Sequence, residues 1–353
     1  MKKITIIGRF QLGDNVSDGQ SIKTRIVKEE LEKKFGVNQV DCIDTYGWKK
    51  NPIKLFNAAI RATAEYDDVI LMTDAGGIKV FPWLLTLANR KRRCKLHYVV
   101  VGGWLVHVLK KRKFIADCLR KFDGIYVETN AMKTGLEELQ FGNTHILKNC
   151  KPLTPLTEEQ LENHAEEPYR LCMFSRIMRE KGVEEAVNAV TSANTHYKRT
   201  VFCLDLYGQV DDNQTAWFEE KSASFPPEIR YCGVAPYDQS VEILKSYFAL
   251  LFPTKFYTEG IPGTIIDAYA AGVPVISSEW ENFLDIVDPD VTGIGYPFSQ
   301  PEQLTEILID LVSVPQKIQS MRKNCLIKAQ EYLPENALGI LWDRLFPEEK
   351  DKK

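Results

Sequence analysis

No stretch of this 353-residue chain reaches the roughly 20 uninterrupted apolar residues of a membrane-crossing helix, so no helical span is expected. The opening MKKITIIGRF has too short an apolar run for a signal peptide and no small-residue cleavage site, which points to a cytoplasmic protein. The eight cysteines form no C-x-x-C pair and several lie inside apolar runs. That is the pattern of reduced, packed thiols rather than of a disulfide frame or a structural zinc site. G-x-G-x-x-G is missing, which argues against a dinucleotide site of the dehydrogenase kind. The five histidines are dispersed; His97 alternates within a strand-like run and His107 sits on a helical face, so both read as structural. No metal site is evident, because Asp211 and Asp212 occupy a polar turn without supporting ligands.

What is present suits two ordinary globular domains, each long enough to bury its own core. The net charge of -3 hides an asymmetry: residues 1–160 hold 27 Lys and Arg against 18 Asp and Glu, and the remainder holds 18 against 30. The positive excess concentrates in Arg90, Lys91, Arg92, Arg93 and Lys95, and in Lys110, Lys111, Arg112 and Lys113. Such clusters attract anionic lipid headgroups or phosphorylated acceptors, since each charge near such a surface adds about 1 kcal/mol. The plainer alternative is a pair of solvated helix ends. Nucleic acid is not expected as a partner, because no aromatic stacking residues are interleaved with the charges.

Short apolar runs alternate with longer amphipathic segments, the signature of repeated βα units on a parallel sheet. The first half supplies strands at 4–8, 40–44, 68–74, 95–102 and 124–129, with helices near 21–35, 52–65, 78–93 and 105–121. Residues 151–168, KPLTPLTEEQLENHAEEP, are proline-rich, charged and poorly apolar, and read as an interdomain linker. The pattern then restarts, with strands at 169–176, 201–208, 229–234, 247–254, 273–278 and 293–298. The expected class is α/β, two doubly wound Rossmann-like domains facing a cleft: residues 1–160, then residues 161–334. Residues 335–353 form a last helix, crossing back onto the first domain through Leu338, Leu341, Trp342 and Leu345, and a tail. Ligands of such sheets bind beyond the carboxyl ends of the strands.

The most specific segment is FPTKFYTEGIPGTIIDAYAAGVPVISSE, residues 252–279. A strand runs into a loop bearing Glu259 and Gly260, and Pro262 and Gly263 open a helix that Gly272 closes. Asp267 lies about one turn, or ~6 Å, beyond the helix start. The N–H groups of Gly263, Thr264 and Ile265 would face a phosphate, since a helix N-terminus carries unsatisfied donors and partial positive charge. That end alone is worth only about 0.3–2 kcal/mol, so two phosphates require cations. The segment MFSRIMREKGVEEAV, residues 173–187, offers Arg176 and Lys181 across a turn, with Arg179 in reserve. Each charge-assisted hydrogen bond is worth about 1.5–3 kcal/mol, so this pair outweighs the helix dipole. In the first domain, the loop from Gly8 to Gly19 leads into a helix whose backbone N–H groups could meet a phosphate. The strand-end loops Asp74–Gly77 and Gly102–Trp104 also face the expected ligand cleft.

Taken together these segments resemble the retaining GT-B glycosyltransferases, specifically the large bacterial family 4. That family carries a strand-GR-x4-KG turn and an E-x7-E segment followed by a small-residue helix and a G-x-PV strand. Here they read Ser175-Arg176…Lys181-Gly182 and Glu259…Asp267…Ala271-Gly272-Val273-Pro274-Val275. Two positions depart from the pattern: Asp267 is one methylene shorter than the usual Glu, and Ser175 replaces glycine. The resemblance covers the second domain and is architectural in the first.

It implies that Arg176 and Lys181 hold the donor diphosphate, that Glu259 contacts the donor sugar, and that Asp267 holds the ribose. It further implies metal-independent hexosyl transfer with retention, from a nucleoside-diphosphate sugar to a hydroxyl of a glycan or lipid-linked acceptor, in bacterial surface polysaccharide biosynthesis. The nucleoside-diphosphate sugar is a substrate, and no cofactor is expected. Peripheral contact with an anionic membrane would run through Arg90–Arg93 and Lys110–Lys113. Two other readings share the sequence features: a sugar-nucleotide epimerase or a phosphorylase on the same fold, and a catalytically silent sugar-nucleotide-binding subunit.

Overall fold

The computed structural model describes residues 2–12 and 19–347. The middle of the loop expected between Gly8 and Gly19, and the end of the C-terminal tail, lie outside the described residues. The chain divides into two compact units, Met1–Pro152 with Leu333–Lys353, and Leu153–Tyr332.

In the first unit, β1 (Ile4–Gly8), β2 (Val40–Asp44), β3 (Asp68–Met72), β4 (Lys95–Val99), β5 (Gly124–Val127) and β6 (Thr144–Ile146) form one sheet. Their order is β2-β1-β3-β4-β5-β6, and every pairing is parallel. Parallel strands need crossovers, and covering both faces with helices is why β1, β3 and β5 are apolar and buried along their length. One face packs against the Pro52–Glu65, Phe81–Ala88 and Lys113–Leu119 helices around Val69, Leu71, Leu96 and Tyr98. The other packs Ile4, Ile6 and Ile70 against the Gly19–Phe35 helix and against Leu338, Leu341, Trp342 and Leu345 of the chain's end. Each such leucine contributes about 1.5–3 kcal/mol on burial, enough to hold the terminal Gly339–Leu345 helix to this sheet.

The same helix is pinned by Arg344, whose guanidinium donates to Nε2 of His145 at 2.7 Å and to the Asp123 carbonyl at 3.3 Å. Burial, and then the Arg344 charge, hold His145 below its ordinary value of 6.5. The sign follows: as pH falls through 6.5 the unfolded chain takes this proton first, so stability is lost from there down to the folded-state value. We expect a lower Tm at acidic than at neutral pH, and a smaller difference in His145→Gln, whose amide oxygen still accepts from Arg344. An unchanged difference would remove His145 from the acid response.

In the second unit, β7 (Tyr169–Phe174), β8 (Phe202–Tyr207), β9 (Ile229–Tyr231), β10 (Ala249–Phe252), β11 (Val275–Glu279) and β12 (Gly293–Pro297) form the other sheet. Its order is β12-β11-β10-β7-β8-β9, again parallel throughout. The order reverses between β7 and β10, as it does between β1 and β3 in the first sheet, and such reversals open the crevices that receive ligands. Both units therefore have the Rossmann-like architecture expected from the strand pattern.

Three details differ from the sequence reading. The helix expected over 105–121 is two, Leu105–Lys110 and Lys113–Leu119, because Arg112 between them leaves the helical backbone, at φ -138° and ψ 73°; Lys110 and Lys111 are cations suited to the first helix's C-terminal end. The three-residue strand β6 and the Thr215–Ser222 helix carry too little periodic pattern to announce themselves. Finally, the proline-rich stretch packs on the second unit. Leu156 N–H donates to the Ala270 carbonyl at 2.8 Å, and Leu161 lies where a Cβ on Gly272 would sit.

Candidate active site

The Arg-Lys turn follows β7 and the Glu259 loop follows β10, so the two most specific sequence segments are neighbours at the point where strand order reverses. Lys181 Nζ donates to Glu259 Oε2 at 2.6 Å, and the two side chains are 17% and 20% exposed. Thr254 Oγ1 donates to the same carboxylate oxygen at 3.5 Å. The ammonium also lies 5.1 Å from the Phe256 ring centroid and 5.5 Å from that of Phe252, so aromatic faces flank the charge on the apolar side. Residues 78 apart in sequence thus form one semi-enclosed charge pair at the carboxyl edge of the sheet.

The turn is braced from both sides. Ser175 N–H donates to the Tyr207 carbonyl at 3.0 Å and Ile177 N–H to that of Gln209 at 2.9 Å. The Gln214 side chain accepts from Arg179 N–H and donates to the Glu180 carboxylate, both at 2.8 Å. That donation, ahead of the backbone contribution, holds Glu180 below the usual carboxylate range. On the β10 side Lys255 N–H donates to the Glu180 carbonyl at 2.8 Å. Gly182 makes the junction with a left-handed φ of 81°, and a Cβ there would meet the Pro253 carbonyl oxygen at 2.0 Å. The Glu259 loop has its own anchor, Asn282, which is buried and donates to the Glu259 carbonyl at 2.6 Å.

Arg176 is exposed and turned toward Asp211, with 3.5 Å between guanidinium and carboxylate. Arg179 lies over the Trp217 ring at 5.1 Å. Asp211, read from sequence as an isolated turn residue, caps the Asp212–Gln214 turn by accepting from Asn213 N–H and also faces Arg176. A D-D-N-Q run is a turn-and-cap signal, but nothing in it names the arginine it will face.

The helix expected from Gly263 spans Gly263–Ala270, with Pro262 before it and Gly272 left-handed at φ 64° after it. Gly263 and Thr264 N–H make no backbone hydrogen bond among the described residues, and Thr264 Oγ1 is buried without a partner. Ile265 differs from expectation: it is fully buried and its N–H donates to the Pro262 carbonyl at 3.1 Å, which leaves two free donors rather than three. Gly260 is buried at the loop's end. Asp267 is 3% exposed and accepts from Ser240 Oγ at 3.0 Å, so its carboxylate is held between two helix starts rather than offered to solvent. Gly19 opens the Gly19–Phe35 helix in the first unit, and none of the described residues comes within 4 Å of where its Cβ would be. Asp74 Oδ1 accepts from Gly76 and Gly77 N–H at 2.9 and 2.8 Å, which fixes the loop after β3.

A cation beside an acidic loop, next to a helix start with two free N–H groups, is suited to a phosphate ester carrying hydroxyls. Residues 157–328 match the family model described as glycosyl transferases group 1. No curated protein matches the chain. Among solved structures, HepE from Anabaena in complex with UDP is similar over 98% of this chain and 99% of its own, with TM-score 0.75 and 13% identity. Sucrose-phosphate synthase from Thermosynechococcus elongatus is similar over 98% of this chain and 100% of its own, with TM-score 0.75 and 17% identity. The lipopolysaccharide outer core galactosyltransferase WaaB in its apo form is similar over 98% and 99%, with TM-score 0.67 and 16% identity. At such identities these likenesses establish the fold, and the family match covers the domain that holds the Lys181–Glu259 pair. The chain is a glycosyltransferase of the GT-B fold, two Rossmann-like domains of which the second matches the glycosyl transferases group 1.

Proposed function

We propose that the enzyme moves a hexosyl group from a nucleoside-diphosphate sugar to a hydroxyl of a glycan or lipid-linked acceptor, with retention of anomeric configuration, in bacterial surface polysaccharide biosynthesis. The observation that carries this reading is the Lys181–Glu259 contact of 2.6 Å at the β7–β10 reversal. Lys181, with Arg176 swung from Asp211 and the N–H groups of Gly263 and Thr264, takes the diphosphate. Glu259 is assigned to the sugar hydroxyls. Asp267 is assigned to the nucleotide ribose, whose hydroxyl would take the place of the Ser240 hydroxyl as donor to the buried carboxylate.

The bond from the anomeric carbon to the phosphate oxygen breaks as the acceptor oxygen bonds to that carbon from the same face. The acceptor proton passes to a phosphate oxygen, and the nucleoside diphosphate leaves. Cations and helix-end donors fixed before the reaction stabilise the charge that develops on the leaving group. Supporting the donor class, HepE has been solved with UDP, with UDP and glucose, and with UDP-glucose. The exposed clusters Arg90–Arg93 and Lys110–Lys113 are assigned to peripheral contact with an anionic membrane at its cytoplasmic face. No helix of the described residues is long and apolar enough to cross a membrane.

The test is a thermal-shift screen of nucleotide sugars, uridine donors first, followed by transfer assays with the donor that binds. A ligand at about 100 times its Kd stabilises by roughly 2.7 kcal/mol. Product formation only when an acceptor hydroxyl is added is the expected result. Conversion of the sugar nucleotide alone would make the enzyme an epimerase, and tight binding without transfer would make it a silent subunit; either overturns the proposal.

A further inference from the structure

The first unit exposes large apolar side chains on the same helices that carry its basic clusters. Trp83 and Leu87, four residues apart, share the outer face of the Phe81–Ala88 helix at 37% and 45% exposure. Phe114, on the first turn of the Lys113–Leu119 helix, is 66% exposed. Both helices cross between adjacent parallel strands, β3 to β4 and β4 to β5, so they run in the same direction on one face of the sheet. Thr86 Oγ1 donates to the Cys118 carbonyl at 3.4 Å near both C-terminal ends. One turn back along each helix, Phe114 is therefore level with Trp83.

Charge brackets this strip. Lys110, Lys111, Arg112 and Lys113 are exposed just before Phe114, and Arg90, Lys91, Arg92 and Arg93 are exposed just after Leu87. Of these, Arg92 lies 3.5 Å from Asp123. The exposed acid between the clusters, Asp117, is paired with Arg120 at 2.6 Å. Solvated helix ends have no use for a tryptophan, a leucine and a phenylalanine between them. A surface that is anionic outside and apolar just beneath matches the alternation.

We propose that these two helices dock the enzyme on an anionic lipid bilayer, with Trp83, Leu87 and Phe114 entering the headgroup–acyl boundary and the two basic clusters resting on the headgroups. This rests on the membrane contact assigned above and deepens it, because a contact made by charge alone is screened by salt, whereas an inserted apolar strip is not. An apolar side chain moved from water into that boundary strengthens partitioning by about tenfold or more.

The experiment is co-sedimentation of the full chain with vesicles of phosphatidylcholine alone and of phosphatidylcholine doped with phosphatidylglycerol, at about 0.1 M and about 1 M salt. The wild type is compared with the triple variant Trp83→Ser, Leu87→Ser, Phe114→Ser, whose Tm and nucleotide-sugar thermal shift are expected to be unchanged because all three sites are exposed. We expect binding to the anionic vesicles only, with a fraction persisting at high salt. The triple variant should lose that fraction and bind about a thousandfold more weakly at low salt. If the variant binds like wild type, or if all wild-type binding vanishes in high salt, insertion is refuted while the charge contact stands. If the wild type ignores anionic vesicles, both fall.

Discussion

Lys181→Ala should lower transfer turnover by about a hundredfold to a thousandfold while the protein melts within a few degrees of wild type. The activity loss follows from what the ammonium faces. Lys181 is the cation already drawn into the β7–β10 crevice, 2.6 Å from Glu259 and lined by the rings of Phe252 and Phe256. A donor fixed before the reaction at a site of developing charge is worth roughly 2.7–4 kcal/mol when removed. The folding cost is modest because Glu259 keeps the Thr254 hydroxyl as a donor and a fifth of its side chain in water, so its carboxylate is not left bare when the ammonium goes. Arg176→Ala serves as the comparison. Its guanidinium is exposed and 3.5 Å from Asp211, so its loss should weaken donor binding more than it slows the bound complex. The check is kcat and KM for the donor in both variants, alongside melting curves. Near-wild-type turnover by Lys181→Ala would remove the clamp from the mechanism.

Much of this site could be read before any coordinates because its parts are backbone punctuation, which is local. Gly263 and Gly272 bracket the Gly263–Ala270 helix as their start and stop chemistry requires, and Lys181 and Glu259 sit on the loops that the strand pattern demands. The strands β1, β3 and β10 are legible for the same reason: burial on both faces enforces a short, unbroken apolar run. What escaped is choice of partner. Asp211 facing Arg176, Gln214 bridging Arg179 and Glu180, and Asn282 holding the Glu259 loop are polar residues in turns, where composition fixes a bend but not a neighbour. Asp267 shows the same limit. Its spacing from Glu259 suggested an offered carboxylate, yet the Ser240–Leu244 helix packs close enough for Ser240 to donate to it. Helix approach is tertiary information that periodicity does not carry. The short β6 and the break at Lys111 and Arg112 lie below the length at which a repeat can be recognised.

Gly182→Ala is expected to damage fold and activity together, and for one reason. At φ 81° an alanine pays left-handed strain of about 1–2 kcal/mol. Its Cβ would in addition lie 2.0 Å from the Pro253 carbonyl oxygen and 2.7 Å from the carbonyl carbon, distances that only backbone movement relieves. Overpacking of this kind costs about 1–3 kcal/mol, so a total of about 2–5 kcal/mol is expected, a fall in Tm of roughly 4–20 °C. The direction of the movement matters more than its size. Gly182 follows Lys181 directly, and Pro253 leads into the loop that carries Glu259, so relieving the clash separates the two halves of the pair. A displacement of about 1 Å from reacting geometry can cost a hundredfold in rate. Gly19→Ala is the internal control, since no atom of the described residues lies within 4 Å of a Cβ there and the position opens a helix that an alanine suits. Equal melting temperatures for the two alanine variants would mean that the junction between the Arg-Lys turn and β10 is loose, and a loose junction could not hold an ammonium and a carboxylate in register for transfer.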